Sequence, residues 1–234
     1  MSRIFGGARR VLVWLGPSDS LVDDLMRRVH VYEPHEERAG VEDACERPYW
    51  HRLWVFQELK SAKDITIMCG SHELRWNNFK DILDRATTRI DFMERGTVQE
   101  QDPDMRWMSG HTKLSAATRM IYLCRDTAPT SLWLLLQLTS HLDCYDPRDK
   151  VYTLLSMAKT GSEGIDPDYE IPLPHLMHRV LSNSYAIHQP RSAHDVNVRC
   201  ARLKAMMGLG QDFPWGADDY FAAEGVAPTS TRPL

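Results

Sequence analysis

Apolar residues are spread unevenly along the chain, and their spacing predicts a front part with strands and a longer helical part behind it. The first apolar run, Val11-Leu-Val-Trp-Leu15, is unbroken and stops at Gly16-Pro17. A continuous run closed by Gly-Pro predicts a buried, parallel-paired strand that opens into a loop. Asp19 or Ser20 can cap a helix after it, with Leu21, Val22, Leu25, Met26 and Val29 on its inner side. Residues 32–43 are charged and include Pro34 and Gly40, which predicts a surface loop. Residues 48–62 predict a helix with Pro48 in its first turn, where the missing N–H costs nothing. Asp64-Ile-Thr-Ile-Met-Cys69 then reads as a second short strand ended by Gly70. Strand, helix and strand in this order predict parallel pairing in an α/β unit.

Beyond residue 75 the period becomes helical. Phe79, Ile82, Leu83 and Ile90 place a helix over 76–91, and further helices are expected over 113–124, 131–142, 151–158 and 174–188. Residues 96–111 are polar and predict an excursion, and Asp146-Pro-Arg-Asp-Lys150 predicts a turn that caps the helix after it. From Gln189 onward no period persists, so 189–234 is expected to be an irregular tail behind a domain over 1–188. The expected fold class is α/β, a small and mostly parallel sheet followed by a predominantly helical region.

Composition narrows the function classes. The 234 residues are 43% hydrophobic and 26% charged, the ordinary range of a globular chain able to bury a core. A net charge of −4 supplies no overall basic field, so no nucleic-acid partner is expected. The longest apolar run, Leu132-Trp-Leu-Leu-Leu136, is far too short to span a membrane, and the first residues lack the apolar stretch of a secretory signal. The five cysteines are widely spaced and never form a C-x-x-C pair, which predicts free thiols in a reducing, cytoplasmic setting. His175 with His178, and His141 with Cys144, stand three apart but lack further partners at metal-site spacing, so no metal is expected. His35-Glu36 and His72-Glu73 do not extend to H-E-x-x-H, and neither G-x-S-x-G nor a P-loop occurs. Cys69, at a strand end, is either a nucleophile or a core thiol.

Three segments, in order, resemble the fungal heterokaryon-incompatibility (HET) domain. They are Val11-Leu-Val-Trp-Leu-Gly-Pro17; Arg47-Pro-Tyr-Trp-His-Arg-Leu-Trp-Val-Phe-Gln-Glu58-Leu59 with Ile65-Thr-Ile-Met-Cys-Gly70; and Asp146-Pro-Arg-Asp-Lys-Val-Tyr-Thr-Leu-Leu155 with Ile165-Asp-Pro-Asp-Tyr169. The resemblance covers roughly residues 4–180. Family members carry a Y-x-A-L-S-Y-x-W-G segment before the first strand, and this chain starts just ahead of that strand, so the domain is expected to be truncated at its front. The resemblance implies non-self recognition and programmed cell death in fungi, acting through protein partners or self-association. HET domains are themselves similar to TIR domains, some of which cleave NAD at the nicotinamide–ribose bond with a glutamate in a W-x-x-x-E setting. Trp54-Val-Phe-Gln-Glu58 matches that setting, which implies a TIR-like sheet and NAD as a substrate, with no bound cofactor.

The residues carry a reading of their own. Glu58 follows Trp54 by one helical turn and borders the apolar face, where a carboxylate is either desolvated or held by a cation. A desolvated carboxylate suits stabilisation of a ribosyl cation, with Trp14, Trp50 and Trp54 walling a slot for a flat ring. The alternative is structural, with Glu58 paired to Arg52 or Arg148. Arg148 is either a phosphate ligand or, more simply, half of a pair with Glu58 or Asp168. A HET-type enzyme, a non-enzymatic interaction module and an inactive fragment of a HET protein all remain open at this point.

Overall fold

The computed structural model describes residues 7–20, 22–23, 37–83, 115–125, 131–187 and 193–225. The chain forms two compact units, Met1–Asp126 and Thr127–Leu234. Residues 24–29, 84–91 and 96–111, for which a helix, a helix end and a polar excursion were expected, lie outside the described residues.

In the first unit Val11–Trp14 (β1) and Ile65–Cys69 (β2) pair in parallel, with Val11 opposite Ile65 and Trp14 opposite Met68. Asp19 caps the helical residues after β1, its Oδ1 accepting from the Val22 N–H at 3.0 Å. A third strand, His72–Arg75 (β3), runs antiparallel to β2 and gives a mixed sheet of order β1-β2-β3. The pattern hides it because His-Glu-Leu-Arg offers a single apolar side chain to the period. The turn between β2 and β3 holds Gly70 at φ +56°, where an added Cβ would collide with Ser18. Val13 and Ile67 point into the core, while Leu12 and Trp14 face the other side of the sheet and are 58% and 51% exposed.

Two expectations for the crossover are corrected. Glu37–Glu46 (α1) is a helix where a loop was expected. Its buried residues include Gly40, Val41, Ala44 and Cys45, small side chains that leave a charged helix with little hydrophobic signal. The single helix expected over 48–62 is broken: Pro48–His51 forms one 3₁₀ turn, Arg52 is extended, and Leu53–Ser61 (α2) follows. Ala116–Arg125 (α3) packs on α1 and α2, and its first amide, at Ala116, donates to Glu46 Oε1 at 3.1 Å. Trp50, Leu53, Phe56, Phe79 and Met120 are fully buried in this unit.

The second unit is helical among its described residues. Leu132–Thr139 (α4) is capped by Ser131, whose hydroxyl accepts from the Leu134 N–H at 3.2 Å. Asp149–Tyr152 (α5) is a single turn followed by irregular turns, shorter than the helix expected to 158. Leu173–Ile187 (α6) matches its pattern closely. The stretch expected to be an irregular tail instead forms Ala193–Met206 (α7) and Ala217–Glu224 (α8). Val196, Cys200, Leu203 and Met206 are buried along α7 at helical spacing, but only one apolar residue per turn marks the stripe. α6 packs on α4 and α7, and α7 packs on α8. No helix among the described residues is long and apolar enough to cross a membrane.

Candidate functional site

The 3₁₀ turn and the break at Arg52 decide where Glu58 sits. In a continuous helix, residues nine apart are separated by about 13 Å along the axis. The extended Arg52 instead folds the turn back, so that the Tyr49 hydroxyl donates to Glu58 Oε2 at 3.0 Å. Tyr49 stands edge-on to Trp50 (5.2 Å, 87°), and Trp50 stacks flat on Phe79 (5.5 Å, 5°). The Trp50 indole N–H donates to the Ala44 carbonyl at 2.8 Å. A stack anchored in the core thus aims one phenol at one half-buried carboxylate. Burial and then the Glu58 charge push the Tyr49 pKa far up, against the opposing pull of Arg52, so the hydroxyl stays protonated and remains a donor.

The tryptophans do not all face a ligand. Trp50 is 0% exposed and offers no surface to a bound molecule. Trp54 is half-buried on α2 beside Glu58, and Trp14 lies on the exposed side of β1. Tyr49 is the residue that the sequence reading missed, because its link to Glu58 runs through a break that helical spacing does not foresee.

Arg47, which opens the segment, is a clamp. Its guanidinium donates to Asp43 (2.8 Å from Nε), Asp19 (2.8 Å from Nη2) and the Pro17 carbonyl (3.1 Å from Nη1). It therefore ties the loop after β1 to α1 and the 3₁₀ turn. Cys69 is a core thiol: fully buried, with Sγ 3.7 Å from the Pro17 carbonyl oxygen, and burial raises its pKa despite the nearby Arg47 charge. That is the opposite of an activated thiolate.

In the second unit the Asp146–Tyr152 and Ile165–Tyr169 segments close on each other. The carboxylate that pairs with Arg148 is Asp146 in its own turn, at 2.9 Å, and not the expected Asp168; the Arg148 Nε donates to the Ile171 carbonyl at 3.2 Å. The Tyr152 hydroxyl donates to the Asp168 carbonyl and the Tyr169 hydroxyl to Asp149 Oδ1, both at 2.6 Å. Lys150 is buried and donates to the carbonyls of Ser140 (3.0 Å) and Leu142. The charges in this motif are thus used in closing a loop. His178 stands 3.0 Å from Glu224, and among the described residues no group of three His, Cys, Asp or Glu is placed to hold a metal ion. No family model, curated protein or solved structure matches this chain.

Proposed function

We propose that this chain is a HET-type non-self recognition module of the fungal cytoplasm, with a TIR-like α/β unit in which Glu58 is the carboxylate of an NAD-cleaving site. The observation that carries the reading is the placement of Glu58. It is half-buried on the helix that connects two parallel strands and is held by the Tyr49 hydroxyl at 3.0 Å. Such a group can stabilise positive charge on a ribose ring without forming a bond to it. In the proposed step the C1′–N bond breaks and nicotinamide leaves with the bonding electrons. Water adds to C1′ and releases its proton to solvent, giving ADP-ribose. The Glu58 carboxylate faces the cationic sugar. Tyr49 remains protonated and fixes the carboxylate oxygens. Trp54, beside Glu58 on α2, supplies an aromatic wall.

The test is NAD turnover by the purified chain and by Glu58→Gln, with circular dichroism to confirm folding. The expected result is nicotinamide release that falls at least about 100-fold in the variant. Equal turnover in both proteins would remove Glu58 from the chemistry. One observation favours a second reading, a non-enzymatic interaction module: Leu12 and Trp14 expose two large apolar side chains on one side of β1. Absent NAD turnover together with self-association lost in Trp14→Ser would favour it.

A further inference from the structure

The opposite end of the sheet carries a feature that the NAD reading does not use. Where β1 and β2 begin and β3 ends, a cavity of about 800 Å³ is lined by Arg10, Lys60, Lys63, Arg75 and Lys80. That volume lies in the range of small-molecule sites. Two carboxylates, Asp64 and Glu73, also line it. Asp64 is committed to Arg10, its Oδ2 lying 2.9 Å from Nε, and Lys60 donates to the Cys124 carbonyl at 3.1 Å. Among the described residues no carboxylate lies within ion-pair distance of Lys63, Arg75 or Lys80. Among the described residues, five cations therefore meet two carboxylates in one cavity of a chain whose net charge is −4.

The sequence hides this cluster, because its members come from five separate places: the residue before β1, the end of α2, the turn after it, the end of β3 and the helical run 76–83. The fold brings them together, and gathering like charges costs free energy that a bound anion recovers. The wall is not all polar. Half-buried Trp76 lines the cavity with Leu59 and Ile121, and its ring lies 6.2 Å from that of Phe79 at 28°. Charged donors beside an aromatic face suit a molecule with phosphates at one end and a flat ring at the other. We propose that this cavity binds a small phosphorylated ligand of the nucleotide class, its phosphates held by Lys63, Arg75 and Lys80 and its ring set against Trp76. Glu58 does not line the cavity, although Leu59 and Lys60 follow it on the same helix, so the two sites are separate.

The experiment is isothermal titration of the full 234-residue chain with ADP and with inorganic pyrophosphate at physiological salt. Both probes should bind saturably and one to one. Lys63→Glu and Lys80→Glu, both side chains reaching solvent, should each weaken both probes about tenfold or more. Trp76→Ala should weaken ADP and leave pyrophosphate unchanged, with melting curves confirming that each variant is folded. Three results would overturn the proposal: no saturable binding up to millimolar probe, affinities indifferent to the charge reversals, or displacement of ADP by a short DNA duplex at equal phosphate concentration. Because Lys63 and Lys80 line this cavity and Glu58 does not, the effect of the charge reversals on pyrophosphate decides it independently of whether the chain cleaves NAD.

Discussion

A phenol that donates to a carboxylate holds its two oxygens in one orientation. Among the described residues the donor to Glu58 is a single neutral hydroxyl, where the sequence offered the cation Arg52 as a partner in the same unit. The difference matters for chemistry. A salt-bridged carboxylate has spent its charge, whereas one held by a phenol keeps the charge to present to a cationic sugar. Tyr49→Phe removes the donor and leaves the ring packing in place. It should cost about 1 kcal/mol of stability, the net worth of one hydrogen bond, measurable as a shift in urea midpoint without a change in slope. On the NAD-cleaving reading the same variant should lower kcat more than it raises KM, because Tyr49 orients Glu58 without touching substrate. A pure rise in KM would point instead to direct contact with the substrate.

The elements most legible in the sequence are those with continuous apolar signals. β1, β2, α4 and α6 fall where the pattern puts them, since runs such as Val11–Leu15 and Ile65–Cys69 leave little choice. α1, β3, α7 and α8 are hidden for a common reason: each buries small or widely spaced apolar residues among charges, and its stability comes from its neighbours more than from its own pattern. The candidate site divides in the same way. The position of Glu58 follows from helical spacing. Tyr49 does not, because Arg52 interrupts the period, and the basic cavity does not, because its charged residues run from Arg10 to Lys80. α7 gives the sharpest test of an element that the sequence conceals. Leu203 is fully buried on it, so Leu203→Ala should destabilise the chain by about 2–5 kcal/mol, as in other cores. A loss within about 0.5 kcal/mol, the usual surface value, would mean that residues 193–206 are not packed in solution.

At the scale of the whole molecule, both units bury acidic protons that can leave only at high pH. In the first unit burial pushes the Cys124 thiol up to about 12; in the second it pushes the Cys200 thiol up to about 11. In an unfolded chain both ionise near pH 8.5 to 9. Between those values the unfolded chain has released protons that the folded chain still holds, so the unfolded state binds fewer, and stability falls as pH rises. The contribution of each thiol is complete below about pH 8.5 and then declines by up to about 1.4 kcal/mol per pH unit until its folded value is reached. Tyr49, Tyr169 and Tyr185 are also shifted upward, chiefly by burial, and extend the fall with the same sign above about pH 10. Lys150 works the other way. Burial lowers its pKa, so it destabilises the fold where the unfolded chain still holds its proton, and this cost fades as pH approaches the ordinary lysine value. Burial also raises the Cys69 and Cys144 thiols and the Tyr220 phenol, so one opposing group is outweighed by four thiols and four phenols, and the growing negative charge of a chain already at −4 adds self-repulsion. Melting temperature should therefore hold level from pH 7 to about 8.5 and then drop steadily to pH 10.5. The double variant Cys124→Ala, Cys200→Ala should melt lower at pH 7, because it loses core volume, yet show a shallower decline above pH 9. A decline of the same steepness in both proteins would mean that these thiols are already open to solvent in the folded chain.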